Sequence, residues 1–451
     1  MTIHETPTTA SAETMADTSK QHPRAVSRRS VVAAGSLAAL APTLLAACDA
    51  SEGGGGTGGA TELTFMNQSR GQEAALTALA EKYSEENGIT ITIDSPGPAD
   101  YLPSLQARAQ SRDMPDIYSA FNATDMAPFY KAGWATDFSA ELDAGWKDNF
   151  SPAVLELSTF AEGNNLDVEP GVYTVHWETQ TYGILVNPEL TGIAAGTETL
   201  SGDELIDALV SAPDPKGSFS VAASLVPQLL QGLASNWLTD EEIIATFNGQ
   251  SSWEDQAWQD AFQFLVDLQE AGVIANSALP GGQDDNPNVE TDFFTQSLGA
   301  IFDASPGVAV GHSTNPDFDS YFSLPIPSLS GGTQAPRSPG VPGKGAVINP
   351  RGKDPEAALA FVKWLTEPEQ QAYFAQEALI LPTHPELLSA GDVPEQLAGF
   401  ARGVETVQLM ADTFTVDVKT AFVAESQRVV LGEVTVAEAL ATIQAAQERT
   451  A

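Results

Sequence analysis

Polar side chains with planar hydrogen-bonding groups lie at the ends of two predicted strands. Asn67, Gln68 and Arg70 end the first strand and its loop, and Phe121 and Asn122 end the third. Amide and guanidinium groups can hydrogen-bond pairs of hydroxyl groups, and an aromatic face can stack on the apolar patch of a sugar ring. These residue types predict non-covalent binding of a hydroxyl-rich solute.

Strands and helices alternate around these loops. Residues 63–67, 89–93 and 116–121 have the alternation and β-branched or aromatic composition of strands, and residues 73–83 and 101–110 have helical apolar spacing. A β-α-β-α-β order requires a parallel sheet with helices packed over it, because parallel neighbours need crossover connections. The carboxyl ends of such strands share one edge, so both polar loops are expected to face one cleft.

The only cysteine of the chain, Cys48, ends an apolar run that follows Arg28 and Arg29. A basic segment, a short apolar segment and small residues before a thiol predict an export signal over residues 1–47. The arginine pair favours the twin-arginine route and leaves the general secretory route open. The Leu-Ala-Ala-Cys ending resembles the bacterial lipoprotein box, which implies lipidation of Cys48 and a glycine-rich tether to the membrane over residues 48–60.

Composition restricts the function classes. With 60 acidic and 20 basic residues, the chain has a formal net charge of −40 and repels phosphate backbones, which disfavours nucleic acid as a partner. Because the one thiol is assigned to lipid, the folded part has no disulfide, and its stability must come from buried apolar area. A hydrophobic content of 42% in this length is enough for two lobes of ordinary domain size.

Later segments supply further elements. Residues 172–188 are too long and too polar at their centre for one buried strand, so two extended pieces joined by a polar middle are predicted. Helices are predicted at residues 240–271, 354–374, 395–410 and 436–448. The loop at residues 281–288 lacks the turn glycine and terminal glutamate of a calcium loop. We predict no metal ion, cofactor or catalytic residue.

Several segments together carry a resemblance: residues 63–83, 114–117, 129–139, 173–187, 293–301, 322–327, 344–350 and 354–365. In order and spacing they resemble the family 1 extracellular solute-binding proteins of ABC importers. That resemblance implies an α/β, two-lobe periplasmic-binding-protein-like fold of type II, in which each lobe is a sheet flanked by helices and crossover hinge strands join the lobes.

The resemblance also implies where the chain passes between the lobes. Crossings are expected at about residues 177–180, 343–348 and 381–394. Lobe I is then expected to contain residues 61–176 and 344–385, and lobe II residues 177–343 and 386–451. The polar middle of residues 172–188 agrees with a hinge strand at the floor of a wet cleft.

Further ligand-binding candidates follow from these expected crossings and loops: Trp177, Glu178, Gln180, Trp237, Asp303 and Lys344. Trp177 is the preferred stacking platform, because a large aromatic side chain in a crossover has little core to enter. Trp237 and Phe121 could instead pack within a lobe, and Asn67 and Asn122 could be turn residues. Where the family commonly has Gly-x-Trp, residues 302–307 contain no tryptophan. One aromatic platform is therefore expected to be missing, which argues against a maltodextrin-type ligand and leaves a different or shorter saccharide open.

The resemblance implies a monomeric, lipid-anchored receptor on the outer face of the cell membrane. It would capture a carbohydrate, an oligosaccharide in the preferred interpretation, by hinge closure and deliver it to the transmembrane subunits of an ABC importer. Three alternatives stay open. A receptor for a cationic solute such as a polyamine would suit Glu178, Asp303 and the acidity; an anchored glycan hydrolase would need two carboxylates facing one bond; and the third alternative is a structural surface lipoprotein.

Overall fold

The computed structural model describes residues 61–120, 123–164, 166–213, 218–275, 286–388, 393–405, 407–409 and 416–450. The predicted export signal, Cys48 and the tether lie outside the described residues. So do Phe121, Asn122 and residues 281–285 of the polar loop. In the described part of the chain, no helix is both long enough and apolar enough to span a membrane.

The strands are, in chain order, β1 (Glu62–Met66), β2 (Thr90–Asp94), β3 (Ile117–Ala120), β4 (Thr159–Phe160), β5 (Gly171–Val172), β6 (Val175–His176), β7 (Glu178–Val186), β8 (Phe219–Val221), β9 (Ala300–Ala304), β10 (Phe322–Leu324), β11 (Pro339–Pro342), β12 (Gly345–Ile348), β13 (Leu381–Pro382) and β14 (Gln408–Leu409).

The helices are α1 (Glu73–Asn87), α2 (Pro98–Ser111), α3 (Ala123–Lys131), α4 (Ser139–Asp143), α5 (Pro152–Ser158), α6 (Pro188–Thr191), α7 (Gly202–Val210), α8 (Val226–Ala234), α9 (Asp240–Phe247), α10 (Gln256–Glu270), α11 (Asn286–Phe294), α12 (Gly307–Thr314), α13 (Pro355–Leu365), α14 (Pro368–Ala378), α15 (Glu395–Glu405), α16 (Val416–Val430) and α17 (Val436–Thr450). Short 3-10 turns lie at residues 146–149, 223–225 and 385–387.

Two mixed sheets form the centres of two lobes. The first sheet has the order β2-β1-β3-β12-β6, and β1 is parallel to both β2 and β3. The second has the order β14-β11-β7-β9-β8, with β10 and β13 also paired to β7. The predicted alternation from β1 to β3 is confirmed, with boundaries shifted by a few residues, and the two-lobe α/β fold is also confirmed.

The sheets are joined where two strands cross side by side. Trp177 is the single residue between β6 of the first sheet and β7 of the second, and Gly343 and Lys344 separate β11 from β12. The Trp177 amide donates to the Lys344 carbonyl at 3.1 Å, and the Gly343 amide donates to the Glu178 carbonyl at 2.9 Å. The two crossings are therefore hydrogen-bonded to each other, and residues 172–188 do form separate extended pieces.

Two predicted helices are wrong in their length. The stretch at residues 354–374 is two helices, α13 and α14, because Pro368 has no amide hydrogen to continue α13 and instead begins α14. The stretch at residues 240–271 is also two helices, α9 and α10, and Gly249 between them adopts a φ of +70°.

The core of the second lobe contains a helix that the sequence analysis missed. Trp253 and Trp258 pack with their ring centroids 4.7 Å apart, and the ring centroid of Phe422 in α16 lies 5.3 Å from that of Trp253. These rings are fully buried. Burial of each large aromatic side chain contributes on the order of 2–3 kcal/mol, so α16 is an integral part of this lobe.

Candidate functional site

A pocket of about 180 Å³ lies between the edges of the two lobes. The loop after β1 contributes Gln68 and Arg70, β7 contributes Gln180, and β9 contributes Asp303. Lys344 lines the pocket from the crossing between β11 and β12. The structure therefore brings five of the predicted binding residues to one place.

An ion pair connects the lobes across this pocket. Arg70 donates two hydrogen bonds to Glu290 of α11, at 2.9 and 3.2 Å. The Glu290 side chain is almost completely buried, whereas Arg70 keeps about a third of its side chain exposed. A bidentate pair of this kind has a fixed geometry, so it holds the loop after β1 at a defined position against α11.

Asp303 is a fully buried carboxyl in the pocket wall. Its Oδ1 accepts from the Asn286 side-chain amide at 3.1 Å and from the Ala304 amide at 2.7 Å. Burial and the nearby Glu290 raise the pKa of Asp303 well above its usual range, although hydrogen bonds and Arg70 oppose the shift. Asn286 also donates to Glu290 at 2.8 Å, so one amide bridges the two carboxyl groups.

Glu178 and Lys344 interact electrostatically next to the pocket. Glu178 is fully buried, and its Oε2 accepts from Gln72 at 3.1 Å and from the Lys344 backbone amide at 3.0 Å. Burial raises the pKa of Glu178, and the positive charge of Lys344 lowers that pKa by a smaller amount. Burial also lowers the pKa of Lys344 to about 8, with Arg70 acting in the same direction and Glu178 opposing it. Desolvation therefore outweighs attraction for both partners.

The interpretation of Trp177 as a stacking platform is corrected. Its ring is completely buried. It packs edge-on against the Phe65 ring and stacks on the Phe374 ring, and both distances between ring centroids are 6.1 Å. The indole N–H donates to Gln72 at 3.1 Å. The first lobe does provide core at the crossover, so Trp177 stabilises the hinge and presents no face to a solute.

Two other candidates also lie away from the pocket surface. Asn67 is fully buried and holds the turn after β1: its oxygen accepts from the Ser69 amide, and its nitrogen donates to Ser95. Trp237 is half-buried in a separate groove beside α7 and α10, where its indole donates to the Gly331 carbonyl at 2.8 Å. Neither side chain lines the pocket between the lobes, while Phe121 and Asn122 lie outside the described residues.

Four polar residues of the pocket lining were missed: Gln72, Tyr182, Asn286 and Glu290. Tyr182 could have been found, because it follows Gln180 by two positions and therefore shares its face of β7. The two side chains contact each other, with Gln180 donating to the Tyr182 hydroxyl at 2.9 Å. Glu290 gave no local signal, since its partner Arg70 is 220 residues away in the chain.

A glycine allows the two lobes to approach closely. Gly71, next to Arg70, has a φ of +75°, and a Cβ placed there would lie 2.6 Å from the backbone of Ala309 in α12. Any larger residue would force these backbones apart. The observed approach of the lobes therefore requires glycine both for its backbone conformation and for its lack of a side chain.

Comparison with known proteins gives one family and many similar folds. The sequence profile of the bacterial extracellular solute-binding proteins matches residues 44–372. No curated protein sequence matches the chain.

Three solved structures illustrate the similarity of the fold, each with 18% sequence identity. A protein studied for xylan utilization by the thermophilic bacterium Caldanaerobius polysaccharolyticus has a TM-score of 0.68, covering 85% of this chain and 99% of that chain. A solute-binding protein of an ABC transporter from Thermotoga lettingae, bound to α-D-tagatose, has a TM-score of 0.67 with 86% and 99% covered. A probable secreted solute-binding lipoprotein from Streptomyces coelicolor has a TM-score of 0.65 with 85% and 98% covered.

The approach of Gly71 to Ala309 gives a prediction about closure. Gly71→Ala should hold the lobes apart, and small-angle X-ray scattering should report a larger radius of gyration than for the wild type. The positive φ should also cost about 1–2 kcal/mol of unfolding free energy. Gly88→Ala is the matched control, because Gly88 has a φ of +69° and a Cβ placed there would have nothing within 4 Å. Equal radii for both variants would refute a steric role for Gly71.

The position of Trp177 gives a prediction about stability. Trp177→Phe should lower the unfolding free energy by about 2 kcal/mol or more, because it leaves a cavity and removes the donor to the buried Gln72 oxygen. Trp237→Phe, at a half-exposed site, should cost less than about 1 kcal/mol. Urea denaturation followed by circular dichroism measures both values. A larger loss for Trp237→Phe would contradict this placement of the two rings.

Proposed function

Since the chain belongs to the bacterial extracellular solute-binding protein family, we propose that it is the receptor of an ABC importer and captures a carbohydrate between its two lobes. The observation that carries the proposal is the pocket whose walls come from both lobes. A solute that contacts both walls binds the closed form better than the open form, which is how binding can shift the equilibrium toward closure. The receptor acts as a monomer and hands the solute unaltered to the transmembrane subunits.

The lining of the pocket supports a neutral, hydroxyl-rich solute. Arg70 and Lys344 stand opposite Glu290 and Asp303, so the formal charges of the lining are balanced. Amide groups of Gln68 and Gln180 can donate and accept at the same time, as hydroxyl groups require. A polyamine would meet two cations as well as two carboxyl groups in the pocket wall, so the formal charges give it no net attraction.

The size of the pocket supports a short ligand. Ligand pockets usually enclose about 300–1,000 Å³, and the part of the pocket formed by the described residues is smaller, about 180 Å³. We infer that the described part of the cleft holds one sugar ring, and that a longer saccharide would extend beyond it. The solved protein of similar fold that is bound to α-D-tagatose holds a single sugar of this kind.

Localisation is proposed from the sequence around Cys48. An export signal and a lipidated Cys48 would place the receptor on the outer face of the membrane, with a glycine-rich tether of about a dozen residues giving a reach on the order of 20 Å. One solved protein of similar fold is described as a probable secreted lipoprotein, which agrees with this arrangement.

The proposed lipidation of Cys48 predicts incorporation of labelled lipid at this residue. Cells labelled with radioactive palmitate should incorporate label into the wild-type chain and none into Cys48→Ser, because Cys48 is the only thiol. The wild type should also partition into detergent on phase separation, and the variant into the aqueous phase. Label retained by Cys48→Ser would show that the anchor is elsewhere or absent.

Isothermal titration calorimetry of the exported chain carrying Cys48→Ser tests the function. The panel contains tagatose, xylo-oligosaccharides, raffinose, maltotriose and spermidine. We expect one neutral sugar to bind with 1:1 stoichiometry and micromolar or tighter affinity, and to be recovered unchanged. Tight binding of spermidine alone would favour the polyamine receptor. Disappearance of an oligosaccharide with release of shorter sugars would favour the hydrolase.

A further inference from the structure

Three buried hydrogen-bond acceptors in the pocket have no donor among the described residues. They are Gln68 Oε1, Asn286 Oδ1 and Asp303 Oδ2, and all three side chains line the pocket. A buried polar atom without a partner is destabilising, so native proteins rarely leave several together. Their clustering at one pocket indicates a ligand that donates hydrogen bonds.

The orientation of two of these acceptors is fixed by their neighbours. Asn286 uses its side-chain nitrogen to donate to both Glu290 and Asp303, which leaves its oxygen as the group without a partner. Asp303 uses Oδ1 to accept from Asn286 and from the Ala304 amide, which leaves Oδ2. Since flipping the Asn286 amide would set an oxygen against two carboxyl groups, both acceptors are obligatory features of the wall.

The charges around Asp303 distinguish between possible donors. An ammonium group could donate to the three acceptors, but it would add a positive charge to a wall in which Arg70 and Lys344 already balance Glu290 and Asp303. A hydroxyl group adds no charge, and it can donate to one acceptor while accepting from a neighbouring lysine or amide. The surroundings therefore favour hydroxyl groups.

An aromatic platform does not provide recognition in the described part of this pocket. Tyr182 is the aromatic residue of the lining, but its ring is buried and stacks on Phe302 with centroids 6.0 Å apart and planes 16° apart. Selection among solutes must then depend mainly on hydrogen bonds. Sites of this kind discriminate strongly against analogues that lack one hydroxyl group, because a buried protein group is left without a partner.

We propose that Gln68, Asn286 and Asp303 together accept the hydroxyl hydrogens of one sugar ring, and that Asp303 determines specificity for a ring that carries a hydroxyl group at the position it contacts. This inference rests on the proposed function and goes further by naming the residues that select the sugar.

The variant Asp303→Asn tests the inference with little change of shape. Its oxygen can keep the bonds to Asn286 and Ala304, while a nitrogen donor replaces the acceptor Oδ2. The affinity for the sugar that binds the wild type should fall about ten- to a hundredfold, because two donors then face each other. The melting temperature without ligand should rise, since a buried ionisable group is removed. An unfolded or damaged variant would not show this pair of opposite changes.

The control is Asp317→Asn, which makes the same chemical change at an exposed position. It should leave both affinity and melting temperature unchanged. An equal loss of affinity in the control would attribute the effect to net charge and would overturn the inference.

A pH series separates the charge of Asp303 from that of its neighbours. Burial and Glu290 raise the pKa of Asp303 in the folded state. A raised carboxyl pKa means that its contribution to stability is fully present below the unfolded value of about 4 and is lost as pH rises toward the folded value. The melting-temperature gain of Asp303→Asn should therefore increase with pH above about 4. Glu290 and Arg70, which face Asp303, and Lys344 are present in both proteins, so a flat difference would contradict the assignment.

Deoxy sugars complete the test. Single-deoxy analogues of the sugar that binds, beginning with those of tagatose, should include one that binds the wild type at least tenfold more weakly than its parent. Asp303→Asn should bind that analogue and the parent about equally, as expected for a coupled pair. If Asp303→Asn binds and discriminates like the wild type, the inference is refuted and the sugar receptor stands. If the wild type binds no sugar, both the proposed function and this inference fail.

Discussion

The side-by-side crossing of two strands is the constraint on which the rest of the structure depends. Both crossings must pass through a narrow region between the lobes, where water is largely excluded, so each polar group there needs a partner. Glu178 is the hydrogen-bond partner of several groups at the crossing. Its carbonyl accepts from the Gly343 amide, and its carboxyl accepts from the Gln72 side chain and the Lys344 backbone amide. A Cβ on Gly343 would lie 2.5 Å from the Glu178 side chain, so the crossing is as closely packed as the lobe cores.

The closed pocket contains both stabilising and destabilising features. The Arg70–Glu290 pair and the approach of Gly71 to α12 stabilise closure, whereas the acceptors left without donors oppose it. Moving the lobes apart would hydrate those acceptors, so their burial without a donor carries an energetic penalty. Under the proposed function, a ligand that supplies the missing donors would remove this penalty, and its binding free energy would be available to shift the population toward closure.

The sequence predicted the elements more accurately than the site. The repeating isoleucines of β2 and the apolar spacing of α1 are local patterns, and each predicted its element to within a few residues. The site depends on contacts between residues far apart in the chain, such as Arg70 with Glu290, and no local pattern contains that information. The expected role of Trp177 was wrong for a similar reason. Its residue type predicts a large aromatic side chain, but the rings that bury it, Phe65 and Phe374, are distant in sequence.

A buried carboxyl and an aromatic face would select a sugar in different ways. Stacking on an aromatic face depends on apolar area and tolerates changes in the hydroxyl pattern, whereas a buried acceptor requires a donor at one place. Burial of Asp303 also makes its ionised form costly. If Asp303 accepts a hydroxyl hydrogen as proposed, a bound sugar would favour the ionised carboxyl, so sugar binding and the protonation of Asp303 would be coupled.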